Sequence, residues 1–278
     1  MNNSLCAKNI VKSFFGFTLL MMLLGNIAMA TDLAKEQRIA DQTLEALFDG
    51  EPVWLQANNK FLGLVNNEVS TSITPPPKGS VVLLIHGSGQ GPDTPFVIAP
   101  LRQLFAESGY PTLSIQMPVL SNDASYEDYV ATFPDSSDRI TAAISYLTQQ
   151  QKNRITIVAH SLGSAMLIDW LAHVDVSATE SVVSIVTLGL GANLSDAEIK
   201  EKVQIQQFYR KVFEKITMPF LDAYGENDNA PVLASAPFRQ TAVNNTHVKS
   251  QQMILGGSDH FFTDMEGELA KLIVAWMQ

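Results

Sequence analysis

The chain has 278 residues, one cysteine, and a formal charge of −10 from 18 basic and 28 acidic side chains. That balance lacks the basic footprint a nucleic-acid partner requires, so none is expected. The lone Cys6 excludes an internal disulfide and leaves the chain beyond it without a thiol for catalysis or metal binding.

The first thirty residues carry the parts of a secretory signal in order. Lys8 and Lys12 precede an apolar stretch from Phe14 to Leu24, and Ala28-Met29-Ala30 offers the small-x-small cleavage pattern. The stretch is shorter than the roughly 20 residues of a comfortable membrane span; an uncleaved N-terminal anchor is the alternative. Cleavage after Ala30 predicts a protein of residues 31–278 in the periplasm or outside the cell, with no lasting membrane span. It removes two lysines and no acid, leaving 16 basic against 28 acidic side chains and a formal charge of −12. That length suits one α/β domain with a substantial core.

Residues 33–48 predict an amphipathic helix with Leu33, Ala40, Leu44 and Leu47 on one face. Val53–Ala57 and Lys60–Val65 read as a hairpin around Asn58-Asn59. Val81–Ile85 is a continuous aliphatic run, as a parallel strand buried on both faces should be. Then follow a helix over Phe96–Ser108, a strand over Thr112–Gln116, and an irregular segment, Met117–Pro134, placed at the mouth of the site. A helix capped by Asp135 or Ser136 comes next, with Ile140, Ala143, Ile144 and Leu147 inward. Strands are expected over Ile155–Ala159, Val182–Leu188, Met218–Tyr224 and Ser250–Leu255, with helices over Ala165–Ala172 and from Met265 to Trp276. The alternation predicts an α/β fold: a mostly parallel eight-stranded sheet with helices on both faces and an antiparallel edge.

The strand ending at Ala159 runs into His160-Ser161-Leu162-Gly163 and a helix. This is the G-x-S-x-G nucleophile elbow with Ala159 at the first small position. The turn is so tight that the residues flanking the serine at two positions' distance must be small. It lifts the serine oxygen above the strand ends and aims the Leu162 N–H at a reacting carbonyl. A serine nucleophile needs a base, and the base an orienting acid. Of the histidines after Ser161, His173 lies in the elbow's own helix and His247 at the wrong end of a strand. His260 follows the last strand at the carboxyl end of the sheet, where ligands bind in open α/β folds. Gly225-Glu226-Asn227-Asp228, after the penultimate strand, supplies Asp228 as the acid, with Glu226 as the substitute. His86-Gly87-Ser88-Gly89-Gln90-Gly91 follows the first core strand and reads as the oxyanion loop. Its donor is assigned to Ser88, or else Gly87, beside Leu162; His86 braces the loop. A phosphate loop is the other reading, though the Gly-Lys-Ser/Thr and G-x-G-x-x-G patterns are missing. No metal-ligand spacing appears, so no metal is expected.

About thirty residues separate Leu188 from Met218. Ser195 and Glu198 fit a capping box, and Ile199, Val203, Phe208, Val212 and Ile216 form an apolar stripe. Lys200, Lys202, Arg210, Lys211 and Lys215 place five basic residues on this segment. It is either an ordinary surface helix or a short cap over residues 192–217.

Over residues 80–278 the chain resembles the α/β-hydrolase superfamily. The residues that carry the match are His86-Gly87, Ala159-His160-Ser161-Leu162-Gly163, Gly225-Glu226-Asn227-Asp228 and Asp259-His260. The resemblance implies hydrolysis through an acyl-enzyme, with no cofactor and a small-molecule acyl substrate. Gly50-Glu51-Pro52-Val53-Trp54-Leu55, Ile85-His86-Gly87-Ser88-Gly89-Gln90 and Thr112-Leu113-Ser114-Ile115-Gln116-Met117-Pro118 resemble an uncharacterised family of exported bacterial α/β-hydrolases, which brings no substrate. Esters or thioesters are favoured over amides, whose leaving groups are harder to expel. A non-catalytic envelope binding protein on the same scaffold is the alternative, and a transferase with an acceptor other than water shares the chemistry.

Overall fold

Fifteen principal elements alternate along the chain in the computed structural model, which describes residues 31–70, 74–191 and 199–278, excepting the side chains of 199–202. The secretory signal expected over residues 1–30 and the capping pair Ser195 and Glu198 lie outside the described residues. The elements are α1 (Leu33–Ala46), β1 (Glu51–Gln56), β2 (Lys60–Asn66), β3 (Ser80–Ile85), α2 (Ile98–Glu107), β4 (Thr112–Ile115), α3 (Phe133–Gln149) and β5 (Arg154–His160). Then come α4 (Leu162–His173), β6 (Val182–Leu188), α5 (Ile199–Lys215), β7 (Phe220–Gly225), α6 (Ala230–Val243), β8 (Gln251–Leu255) and α7 (Glu266–Met277).

The strands form one sheet in the order β1-β2-β4-β3-β5-β6-β7-β8. β1 and β2 are antiparallel to their neighbours; β4, β3 and β5 to β8 run parallel. This is the mostly parallel eight-stranded sheet with an antiparallel edge that the sequence predicts. Register sets Ile85 beside Ala159, His160 beside Leu188, and Gly225 beside Leu255, so the loops after β3, β5, β6, β7 and β8 gather at one edge. From β3 the chain goes to β4 on one side, and β5 lies on the other. That reversal is a topological switch point, where open α/β sheets form crevices.

The sheet is buried on both faces. Leu83 and Ile85 pack with Ile140, Leu167, Trp170 and Phe213 of α3, α4 and α5. Val82 and Leu84 pack with Leu101 and Phe105 of α2 and Leu269 and Ile273 of α7. Each such side chain contributes about 1.5–3 kcal/mol on burial. With dozens of them, apolar burial outweighs any net gain from the buried Arg102, Arg139 and Arg239 pairs, whose desolvation cancels most of their attraction. Those pairs instead fix particular neighbours. Arg139 binds Glu36 of α1 and Asp135 at 3.0 Å and donates to Gln116 O at 3.2 Å, while Lys35 Nζ donates to Leu120 O at 2.7 Å. The N-terminal helix thus pins the segment that leaves β4.

Three local expectations are corrected. The third helix begins at Phe133, with Pro134 in its first turn, so Asp135 and Ser136 lie inside it; Ser136 Oγ donates back to Thr132 O. The sequence pattern does not predict helix α6, which holds the partner of Asp222: Arg239 Nε, 2.9 Å away and equally buried. Helix α5 lies where the apolar stripe predicts one, but Val203 and Phe208 are exposed. Its buried side is Tyr209, Val212 and Phe213, continued by Ile216 just past its end, because it packs against α4 and α6 as well as the sheet. No described helix is long and apolar enough to cross a membrane.

Candidate active site

The elbow between β5 and α4 puts Ser161 at φ 54° and ψ −122°, a conformation costing on the order of 1–3 kcal/mol for a residue with a side chain. The surroundings impose it. Ser161 N–H donates to Leu188 O at 2.8 Å, and Ser164 Oγ donates to Ala159 O at 2.7 Å, across the turn. Gly163 is obligatory, since a Cβ there would lie 2.4 Å from His86 O. Ala159, fully buried, fills the other flank of the turn.

Ser161 Oγ donates to His260 Nε2 at 2.8 Å, and His260 Nδ1–H donates to Asp228 Oδ1 at 2.6 Å. Asp228 is oriented by its own turn: Oδ2 accepts from Gly225 N–H at 3.2 Å and Oδ1 from Asn229 N–H at 2.7 Å. The loops after β7 and β8 are joined by Glu226 N–H to Leu255 O and Asn227 N–H to Ser258 O. The structure therefore brings together Ser161, Asp228 and His260, drawn from three separate loops. It does not bring in the substitute acid, because Glu226 accepts from Gly257 N–H on the exposed side. Asp259 closes its own turn through Phe261 N–H and Thr263. His173 and His247 stay outside the site, bonded within their own segments.

Leu162 is the first residue of α4, where the N–H groups have no intrahelical acceptor and the helix dipole is positive. Its amide follows Ser161 directly. Across from it, Gly87 approaches so closely that a Cβ there would lie 3.1 Å from Ser161 Cβ. The Gly87 N–H itself donates to Gln90 Oε1 at 3.2 Å, which turns it to the loop's own bracing; Ser88, the next residue, is exposed. His86 ties this loop down. Its Nδ1–H donates to Gly87 O at 2.7 Å and its Nε2 accepts from Met117 N–H at 2.9 Å.

Burial holds two imidazoles neutral. The pKa of His86 is lowered to about 4 by loss of solvent, and that of His160 to about 4 by loss of solvent and then by the neighbouring His260. His160 donates through Nε2 to His260 O at 3.0 Å. The unfolded chain protonates both near pH 6.5. Between pH 6.5 and 4 it binds protons that the folded chain refuses, so stability is complete at higher pH and is lost as pH falls through that window. Going from pH 8 to 5 is expected to remove about 2 kcal/mol for each histidine, read as a lower urea midpoint. An equal midpoint at both values would contradict the buried, neutral assignment.

A cavity of about 170 Å³ opens on Ser161 and His260, lined by Tyr126, Gly189, Gly191, Asn229, Pro231 and Val232. Tyr126 comes from the segment expected at the mouth. The other lining residues went unread in the sequence. Their only signals were Gly189 and Gly191 after β6, and Pro231, which suits the first turn of a helix.

Comparison with solved structures decides the architecture. An esterase of Pyrococcus furiosus, Pf2001, superposes with a TM-score of 0.59 at 13% identity, over 85% of this chain and 96% of that one. The fold is that of the α/β-hydrolases. A dienelactone hydrolase from Anabaena variabilis gives 0.58 at 18% identity over 82% of this chain and 96% of its own. An α/β serine hydrolase homologue from Coxiella burnetii gives 0.56 at 14%, over 82% and 98%. At these identities the likeness is one of fold. A family model described as a protein of unknown function (DUF3530) matches residues 26–137, which end before the elbow. No curated protein sequence matches the chain.

Proposed function

We propose that the protein is a serine hydrolase that cleaves a small carboxylic ester or thioester through an acyl-enzyme on Ser161. The observation that carries this is the continuous hydrogen-bonded line Ser161–His260–Asp228 ending in a serine on a strained elbow. His260 Nε2 takes the Ser161 proton as Oγ attacks the acyl carbon. Asp228 keeps the proton on Nδ1 and stabilises the imidazolium. The Leu162 and Ser88 N–H groups receive the charge on the carbonyl oxygen. When the tetrahedral intermediate collapses, His260 protonates the leaving oxygen or sulfur. Water, deprotonated by the same nitrogen, then attacks the acyl-enzyme and releases the acid.

The cavity sets the acyl preference. Its volume is about 170 Å³ and its walls are a tyrosine, a proline, a valine and glycine backbone, with no charge beyond the triad. Acetyl and propionyl esters are expected to be hydrolysed at least about tenfold more efficiently than decanoyl esters of the same alcohol. A kcat/KM series with acyl chains of increasing length tests this. No turnover of any of them by folded protein would overturn the hydrolase reading, and a preference for the long chains would overturn the acyl assignment.

We further propose export, with residues 1–30 removed as a signal and the enzyme working in the periplasm or outside the cell. The charge–apolar–small pattern supports this, as does the compact unit formed by Thr31–Gln278. N-terminal sequencing of exported protein is expected to begin at Thr31; a start at Met1 would contradict cleavage.

A further inference from the structure

We propose that Phe96 and Phe261 form a leaving-group subsite of the Ser161 centre, one that takes a flat arylmethyl alcohol; this rests on the serine-hydrolase reading. The two rings are exposed, at 53% and 39%, and meet at a tilt of 54° with centroids 5.8 Å apart. Phe261 also stands edge-on to the His260 imidazole at 5.3 Å and lies 5.8 Å from His160.

The backbone is strained to keep them outside. Val97 has φ 64° and ψ −61°, and Ile98 N–H donates to Phe96 O at 2.7 Å. That is the rare γ-turn of positive φ, worst for a β-branched residue. Phe262 has φ 52°. Both strained residues are fully buried in one core with Val82, Leu84 and Leu269. In each pair the inner residue is anchored and the outer aromatic is turned to solvent; Phe261 stands beside the imidazole and Phe96 stands against Phe261. Strain of this kind concentrates at functional sites. The turn carrying Phe261 is stapled by Asp259, which accepts from Phe261 N–H, Thr263 N–H and Thr263 Oγ. Phe96 follows the oxyanion loop, to which Thr94 ties its segment: Gly91 N–H donates to Thr94 Oγ and Ala99 N–H to Thr94 O.

The chemistry gives the rings their occupant. An acyl carbon held at Ser161 has two substituents to place once its oxygen is in the oxyanion hole. One fits the cavity, whose lining includes neither Phe96 nor Phe261. The other is the leaving group, whose oxygen is protonated by His260 Nε2, so its carbon skeleton must pass the imidazole and whatever flanks it. The flank offered is a pair of aromatic rings, which prefer offset or edge contact with a third ring.

The test compares 2-naphthylmethyl acetate with n-propyl acetate, two esters with the same acyl group and alcohols of similar acidity. The naphthyl ester is expected to have the higher kcat/KM. In Phe96→Ala the ratio should fall about three- to tenfold through the KM of the naphthyl ester, and Phe96→Tyr should retain it. If both esters are hydrolysed and the ratio is the same in Phe96→Ala, the subsite is overturned while the hydrolase reading stands. If neither ester is hydrolysed and a fluorophosphonate leaves Ser161 unlabelled, the hydrolase reading falls and the leaving-group subsite falls with it.

Discussion

Ser161→Ala is expected to lower kcat for ester hydrolysis by on the order of 10⁶-fold while the protein stays folded. The large loss follows from what remains. Without Oγ, His260 Nε2 has no nucleophile to deprotonate, and catalysis reverts to whatever the oxyanion donors do for a water molecule, roughly 10³–10⁴ over the uncatalysed rate. The fold is expected to survive because the elbow is imposed by groups the substitution leaves alone: the Ser161 N–H on Leu188 O, Ser164 Oγ on Ala159 O, and the contact of Gly163 with β3. Steady-state kinetics beside a thermal melt separates the two effects. A variant that melts normally and keeps more than a hundredth of the activity would remove Ser161 from the mechanism.

Asp228→Asn is expected to cost about 10⁴ in kcat, the size seen when the same change is made in a serine protease triad. The local geometry explains why so small a change should cost so much. Both carboxylate oxygens of Asp228 already accept: Oδ1 from His260 Nδ1–H and Asn229 N–H, Oδ2 from Gly225 N–H. An amide can offer only one acceptor oxygen. If its NH₂ faces Gly225, two donors oppose each other in a buried turn. If its NH₂ faces His260, the imidazole must carry its proton on Nε2, where it cannot take one from Ser161. Binding should be affected far less than turnover, so the loss is expected in kcat with KM within a few-fold. A drop of less than tenfold would show that Asp228 does not orient the base.

Much of this was legible because each feature leaves its own trace in the residue order. Val81–Ile85 reads as a central strand since a run with no polar position is tolerated only where both faces are covered. Ser161, Asp228 and His260 could be picked out because each sits just past a strand, in the chain order of the fold. Helix α6 was hidden by Pro231 and Pro237. One sits in the first turn, where a missing N–H is harmless, and the other lies inside the helix. For the same reason Pro134 reads as the end of a loop, whereas it lies in the first turn of α3. For α5 the periodic stripe predicts the helix and, through Val212 and Ile216, part of the buried side; the rest, Tyr209 and Phe213, is chosen by neighbours on α4 and α6. The cavity was illegible for a different reason. Tyr126, Gly191 and Val232 have unremarkable chemistry and lie far apart in the chain, and only the convergence of loops at the sheet's edge makes them walls. Phe96 and Phe261 are similar: nothing in the order of residues tells an aromatic held outward by a strained neighbour from one turned into the core.

The most direct measurement is reaction of the purified protein with a fluorophosphonate probe, run beside Ser161→Ala and read by mass spectrometry of the labelled peptide. The expected result is one adduct per chain, on the peptide containing Ser161, and none in the variant. A folded protein that stays unlabelled, or that is labelled equally with and without the Ser161 hydroxyl, would contradict an activated serine at this elbow.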